Sequence, residues 1–478
     1  MVRLKMKNFL NKLFKLEENQ TTIKTEIIAG ITTFFAMCYI VIVNPNQMTG
    51  FEKGMQDVWN ACFIGGLIAA VVATLLMAFV ANKPFALAAG MGLNSFFFTS
   101  FIAPTLLLTS EFSPTQGYKA GLAIILMSGL VFLILSVTGL RKYLAKSLPQ
   151  CLKTAIPAGI GLFIALIGLK NGGVVVANPY TAVALVDFTL GASAAIPAIV
   201  TIVGFILVAI FSGSKVKFLK GGSIILGMLG ATALYYVLAL IFKLDINVTQ
   251  TSIGQSFTDW ANVGFLGAFE GFGLLFGEQI VGGIFSVIML VITYCLVDLF
   301  DTLGTLYGAS SEAGMLDENG DPEGLSQEML CDSIGTAVGA VVGTSTITTF
   351  VESSAGVAAG GRTGLTAFVT SILFALCLFV APIAQYIPQC ATAPALIFVG
   401  VLMTKNILNI DFTDMRCAAT GFITFIIMIT TYSISNGIMF GAATYVLITL
   451  FTGKYTKADI VITIIAVLGI LRFAFVTI

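Results

Sequence analysis

Residues 344–364 read TSTITTFVESSAGVAAGGRTG, a run crowded with glycine, serine and threonine inside an otherwise strongly apolar part of the chain. Glu352 lies near its centre, and no Lys or Arg precedes Arg362 within it. Upstream, the apolar helical pattern from Tyr294 carries Asp298 and Asp301 and gives way to an acidic loop, Asp317 to Glu328. Three carboxylates thus fall where a bilayer is expected. At a bilayer centre such a group costs about 2.5–3.5 kcal/mol on insertion scales, so each is read first as a functional group in search of a partner.

The composition around this run fixes the class. Of 478 residues, 57% are hydrophobic and 10% charged, and mean hydropathy is +0.99. Apolar windows of about 20 residues recur from end to end, which makes the chain an all-α polytopic membrane protein. Its 24 basic and 24 acidic residues balance, so nothing points to a nucleic-acid partner. Histidine is absent, which excludes the HExxH zinc motif, histidine-based nucleophilic catalysis and a histidine proton relay. Proton chemistry falls to carboxylates. Eight cysteines without CxxC spacing suit buried small hydrophobes better than disulfides or metal. The loop Asp317-Glu318-Asn319-Gly320-Asp321 resembles a calcium loop, but Pro322 stands where the turn glycine belongs, so it is read as a solvated cytoplasmic turn. No metal and no cofactor is expected.

Fourteen apolar spans are read along the chain. The ninth, tenth and twelfth (Ile334 to Val342, Val351 to Ala359, Pro394 to Met403) are too short to cross alone, as expected of broken helices that line a cavity. Residues 1–25 form a basic amphipathic segment on the cytoplasmic surface rather than a cleavable signal. With the amino terminus inside, alternating spans place 19 of the 24 Lys and Arg residues on the cytoplasmic side and 4 outside, leaving Arg472 unassigned. That bias supports the count and a location in the cell membrane. The apolar run 460–478 is either a further span or a surface segment.

An internal repeat is legible. Leu148-Pro149-Gln150-Cys151, then Pro157-Ala158 and a helix ending Lys170-Asn171, is echoed by Ile387-Pro388-Gln389-Cys390, Pro394-Ala395 and Lys405-Asn406. The match sets span five against span twelve. A weaker echo, Ala88-Ala89-Gly90 and Ala358-Ala359-Gly360, sets span three against span ten. An offset of seven, being odd, inverts one half relative to the other, so 26–243 and 278–455 read as inverted seven-span repeats, joined by an extracellular loop at 244–277 and followed by 456–478. Binding is expected where spans three and ten meet.

Span three begins KPFALAAGMGLNSFFF, where Gly90 and Gly92 each weaken a helix by about 1 kcal/mol relative to alanine. A short extended segment followed by a half-helix is expected there, and in span ten a half-helix beginning near Ser353 whose N-terminus faces the cavity. The alternative is that these small residues only permit close packing. Asp298 and Asp301, three apart, share a helical face with Thr302 and Thr305. Burial and mutual repulsion would make at least one of them a proton carrier. Asn94 is either a substrate contact or interhelical glue. Acids without a basic partner favour a planar ligand with edge N–H groups, with Phe96, Phe97, Phe98 or Phe350 stacking on its face.

The runs GMGLNSFF, DLFDTLGTLYGASSEAG and TSTITTFVESSAGVAAGGRTG together resemble the adenine/guanine/hypoxanthine permeases, the purine branch of the nucleobase:cation symporter family. The resemblance covers nearly the whole chain. It implies fourteen spans in two inverted repeats, a core domain of spans 1–4 and 8–11, and a gate domain of spans 5–7 and 12–14, with a homodimer through the gate left open. By the same resemblance Asp298 and Glu352 hold the nucleobase, and Asn94 and Asp301 are linked to substrate. Uracil-type relatives carry a histidine where this chain has Thr302, so their histidine-assisted proton path does not transfer. The expected function is proton-coupled import of purine nucleobases, with Asp298, Asp301 and Glu352 as the proton-handling candidates, Phe350 and Ser353 as further substrate contacts, and sodium as the alternative ion. Two rivals are an inorganic anion transporter of the same fold, which would want a basic or acid-free site, and an intramembrane aspartyl protease, whose Tyr-Asp and Gly-x-Gly-Asp motifs do not occur.

Overall fold

The computed structural model describes residues 9–52, 54–107, 111–138, 149–244, 251–277, 280–281, 283–318, 322–456 and 459–475. Of the sequence features above, Arg3, Lys5, Lys7, Lys53, Arg141, Lys142, Lys146, Leu148, Lys457 and residues 319–321 lie outside them. In chain order the main elements are α1 (Ile23–Met37), α2 (Ile40–Met48), α3 (Gln56–Leu76), β1 (Leu87–Ala89), α4 (Met91–Phe97), α5 (Pro114–Val137), α6 (Gln150–Asn171), β2 (Val175–Asn178), β3 (Ala182–Leu185), α7 (Ala192–Ser212) and α8 (Ser223–Ile241). They continue with α9 (Ile253–Asp259), α10 (Gly267–Phe276), α11 (Gly283–Ala313), α12 (Leu325–Val342), β4 (Ile347–Thr349), α13 (Ser353–Ala358), α14 (Gly364–Cys377), α15 (Gln389–Thr404), α16 (Met415–Thr430), α17 (Ile434–Phe451) and α18 (Ile460–Phe475).

Among the described residues, eight helices are long and apolar enough to cross a membrane, and four shorter apolar helices accompany them. Span ten contributes only α13, of 6 residues, whereas in span three α4, of 7 residues, is continued by a π-helical turn (Phe98–Ile102) and a 3-10 turn (Ala103–Leu106). Helix α12 begins at Leu325, nine residues before the expected start of span nine. Glu328 and Asp332 therefore lie inside it and are fully buried, so Glu328 does not belong to a solvated turn.

The chain divides into two compact units. The first comprises Met1–Leu140, Thr251–Ile280 and Thr302–Pro382. At its centre β1 and β4 pair antiparallel, with Leu87 opposite Thr349, Ala88 opposite Thr348 and Ala89 opposite Ile347. A two-stranded ribbon leaves its outer edges unpaired, and buried unpaired backbone is costly. Two threonines close those edges: Thr74 Oγ1 on α3 accepts from Leu87 N (3.0 Å) and donates to Leu87 O (3.1 Å), while Thr336 Oγ1 on α12 does the same at Ile347 (3.1 Å each). The ribbon joins spans three and ten, as expected, through Ala88 and Ala89 of the first Ala-Ala-Gly run and through Ile347 to Thr349, upstream of the second. Ala88-Ala89-Gly90 precedes a half-helix, whereas Ala358-Ala359-Gly360 ends one.

The second unit comprises Arg141–Gln250, Val281–Asp301 and Ile383–Ile478. Here Pro149 and Pro388 each stand immediately before the first residue of α6 and α15, where proline's missing N–H costs nothing. Gly161 and Gly400, each eleven residues into its helix, cross face to face. A Cβ on Gly161 would lie 2.9 Å from Gly400 O, and one on Gly400 2.5 Å from Gly161 O. None of the eight cysteines is in a disulfide, and six of them are buried.

Candidate functional site

The first unit assembles four of the sequence-selected residues around the ribbon. Leaving β4, the chain passes Phe350, whose N–H donates to Ala86 O (3.1 Å), and reaches Glu352 and Ser353 at the head of α13. Ser353 Oγ accepts from Ala86 N (3.0 Å), so this hydroxyl ties α13 back to the residue before β1. Phe350, Glu352 and Ser353 are all buried. Helix α13 spans fewer than two turns, so its dipole contributes less than the expected half-helix would.

What places Glu352 is a close helix contact. A Cβ on Gly356 would lie 2.0 Å from Thr33 Oγ1 and 2.7 Å from Ala29 O on α1, so only glycine lets α13 approach that helix. The approach brings Glu352 Oε1 to 2.6 Å from the hydroxyl of Tyr39, which donates to it. Tyr39 is fully buried at the interruption between α1 and α2. Among the described residues no other side chain donates to the Glu352 carboxylate.

Beyond α13 the chain turns through Gly360, at φ +108°, a left-handed conformation that favours glycine. Arg362 then spends its guanidinium on backbone, donating from Nη1 to Val357 O (2.8 Å) and Gly361 O (2.7 Å). The one base of the run caps the end of α13 and offers Glu352 no charge. A carboxylate that the sequence reading missed holds the next helix: Glu26 on α1, fully buried, accepts from Arg362 N (2.9 Å), Thr363 N (3.3 Å), Thr366 N (3.2 Å) and Thr366 Oγ1 (2.6 Å). An acid at the very start of an apolar span gives no sequence signal to distinguish it from a surface group.

Asn94 on α4 is fully buried and stitched to its neighbours. Its Nδ2 donates to Asn44 Oδ1 (2.9 Å) and its Oδ1 accepts from Ser345 Oγ. Asn44 in turn donates to Cys62 O and Thr344 Oγ1 (3.3 Å each). This network joins spans one, three and ten on the approach to β4. Phe97 packs edge-on against Phe101 and Tyr118, at 5.2 and 6.0 Å between centroids, so it serves the core.

Asp298 and Asp301 are both buried on α11, in the part of that helix that belongs to the second unit. The next residue, Thr302, donates to Asp332 Oδ2 (2.7 Å) and shares a 3.1 Å bond with Thr348 on β4. The position without histidine thus belongs to a polar chain that ends on the ribbon. Two acids the sequence reading placed outside the membrane, Glu328 and Asp332, share a face of α12 four residues apart. No group of three His, Cys, Asp or Glu side chains suited to a metal occurs among the described residues.

Broken spans and a buried ribbon define the class first, a multi-pass membrane protein, and its permease relatives make it a transporter rather than an enzyme. Comparison with known proteins narrows it. Residues 24–440 match the Permease family, and the chain belongs to that family. The adenine permease AdeP of Escherichia coli (strain K12) is 35% identical over 98% of this chain and 96% of its own. The guanine/hypoxanthine permeases PbuO and PbuG of Bacillus subtilis (strain 168) are 37% and 35% identical, over 95% and 98% of this chain and 98% and 100% of their own. Among solved structures, the transmembrane domain of the cyanobacterial bicarbonate transporter BicA matches with a TM-score of 0.55 at 14% identity, covering 93% of this chain and 97% of that one. The murine anion transporter Slc26a9 in its inward-facing state matches with a TM-score of 0.56 at 12% identity, over 90% and 68%. At those identities the likeness is one of fold.

Proposed function

We propose that this permease imports purine nucleobases across the cell membrane by proton symport, with its amino terminus in the cytoplasm. The observation that carries the reading is Glu352: a buried acid with no basic partner, one oxygen engaged by Tyr39, at the junction of β4 and α13. A carboxylate in that setting suits a ligand that brings N–H donors, as a purine does, and disfavours an inorganic anion despite the fold shared with anion transporters. The names of the relatives, adenine and guanine/hypoxanthine permeases, support the same substrate class.

In this proposal Glu352 and Asp298 accept N–H bonds from the base, and Phe350 and Ser353 wall the site. Asn94 contributes through the network that seats β4, and Asp301 handles the proton. The two inverted repeats remain our reading of the topology, supported by the reciprocal crossing of Gly161 and Gly400. Spans 1–4 and 8–11 are proposed to move against the remainder. A carboxylate that accepts the N–H bonds of the base binds best when the base and a compensating proton are both present, which couples the two fluxes.

The test is uptake of radiolabelled hypoxanthine by cells lacking their own purine permeases, with adenine, guanine, xanthine and uracil as competitors. Glu352→Gln keeps the shape and removes the anion, and uptake is expected to fall by about tenfold or more, since hydrogen bonds to a charged group are worth roughly 1.5–3 kcal/mol. Unaltered uptake removes Glu352 from the mechanism. Uptake that requires sodium and ignores a protonophore at fixed membrane potential overturns the proton.

A further inference from the structure

Span one does not run straight past Glu352. Helix α1 ends at Met37 and α2 begins at Ile40, with Tyr39 in the gap. The turn there is tight: Val41 N donates to Cys38 O (3.2 Å), and both Ile42 N and Val43 N to Tyr39 O (3.1 Å each). The first two span three residues and mark local over-winding, while the third is an ordinary helical bond. Its effect is to aim the Tyr39 side chain across the unit at α13. The phenol reaches Glu352 Oε1 at 2.6 Å, within the range of a charge-assisted O–H···O bond, and its other contact is the weak acceptor Met91 Sδ at 3.7 Å.

We propose that Tyr39 is the positioning residue of the transport site: its hydroxyl holds Glu352 Oε1 and so turns Oε2 to the purine N–H. The proposal rests on the function stated above and adds a residue to it. A phenol donor favours the carboxylate anion and fixes its plane. With Oε1 held, the oxygen that meets the substrate is Oε2, in a plane the tyrosine fixes. Among the described residues no other side chain bonds this carboxylate, so removal of the hydroxyl leaves its plane unheld by any side chain.

The experiment measures hypoxanthine KM, maximal rate and the pH profile of uptake for Tyr39→Phe, and for 3-fluorotyrosine incorporated at position 39. The first variant lacks the donor; the second keeps the shape and makes the donor stronger. Tyr39→Phe is expected to raise KM by about tenfold and to move the alkaline fall of uptake up by about one pH unit, the equivalent of one lost charge-assisted bond. The fluorinated side chain is expected to move the fall to lower pH, and it stands as the test by itself if Tyr39→Phe does not fold. Both variants keeping the wild-type pH profile and KM overturn the inference alone, as does a uniform loss of maximal rate with no shift in profile. A wild-type protein that takes up no purine base at any pH overturns the functional reading, and the inference with it.

Discussion

Glu26→Ala isolates the most heavily bonded carboxylate described in the first unit. The Glu26 side chain is fully buried and accepts bonds from three backbone N–H groups and one hydroxyl at the start of α14. Those of Arg362 and Thr363 lie just before the helix, where no intrahelical carbonyl is available, whereas Thr366 N also donates to Thr363 O (3.1 Å). Thr363 Oγ1 serves Leu365 N at 3.4 Å and cannot replace the acid for the others. Each buried donor left unpaired costs about 1–3 kcal/mol. The Thr366 hydroxyl also reaches the Glu26 carbonyl (3.3 Å), so it is rescued in part. The expected loss is therefore about 3–5 kcal/mol, in line with removing one partner of a buried charged network. Glu26→Gln keeps the volume and one acceptor oxygen, and is expected to lose about half as much. Thermal unfolding in detergent, followed by a thiol-reactive dye, suits this chain because Cys38, Cys62, Cys151, Cys295, Cys331 and Cys390 are buried and become reactive on unfolding. At about 2–4 °C per kcal/mol, Glu26→Ala is expected to lower the apparent Tm by about 6 °C or more. A melting point within 2 °C of wild type, or a Glu26→Gln protein less stable than Glu26→Ala, refutes the reasoning.

Two further substitutions test how the site is held. Gly356→Val drives a side chain into Thr33 Oγ1 and Ala29 O, so it is expected to displace α13 and abolish uptake while leaving the protein in the membrane; wild-type uptake would mean the contact does not position Glu352. Thr74→Val is isosteric but strands Leu87 N and Leu87 O, at a cost of about 1–3 kcal/mol, and is expected to lower the unfolding temperature in the same dye assay. An unchanged temperature would show that the ribbon edge finds another partner.

The sequence by itself determined the class and the main candidates. Apolar length fixed a polytopic membrane protein, the absence of histidine left proton chemistry to carboxylates, and an acid among hydroxyls without a base marked Glu352. These are statements about residue chemistry and spacing, and they need no knowledge of which helices touch. Tertiary structure decided everything that depends on contacts across the chain. The sequence reading expects spans three and ten to meet, but only the backbone shows by which residues, Leu87 to Ala89 against Ile347 to Thr349. Glu328 and Asp332 are buried because α12 starts at Leu325, a boundary that hydropathy obscures where acids interrupt it. Glu26 and Tyr39 were invisible for a further reason. Their partners lie 336 to 340 and 313 residues away, and a hydrogen bond between residues so distant leaves no local pattern to read.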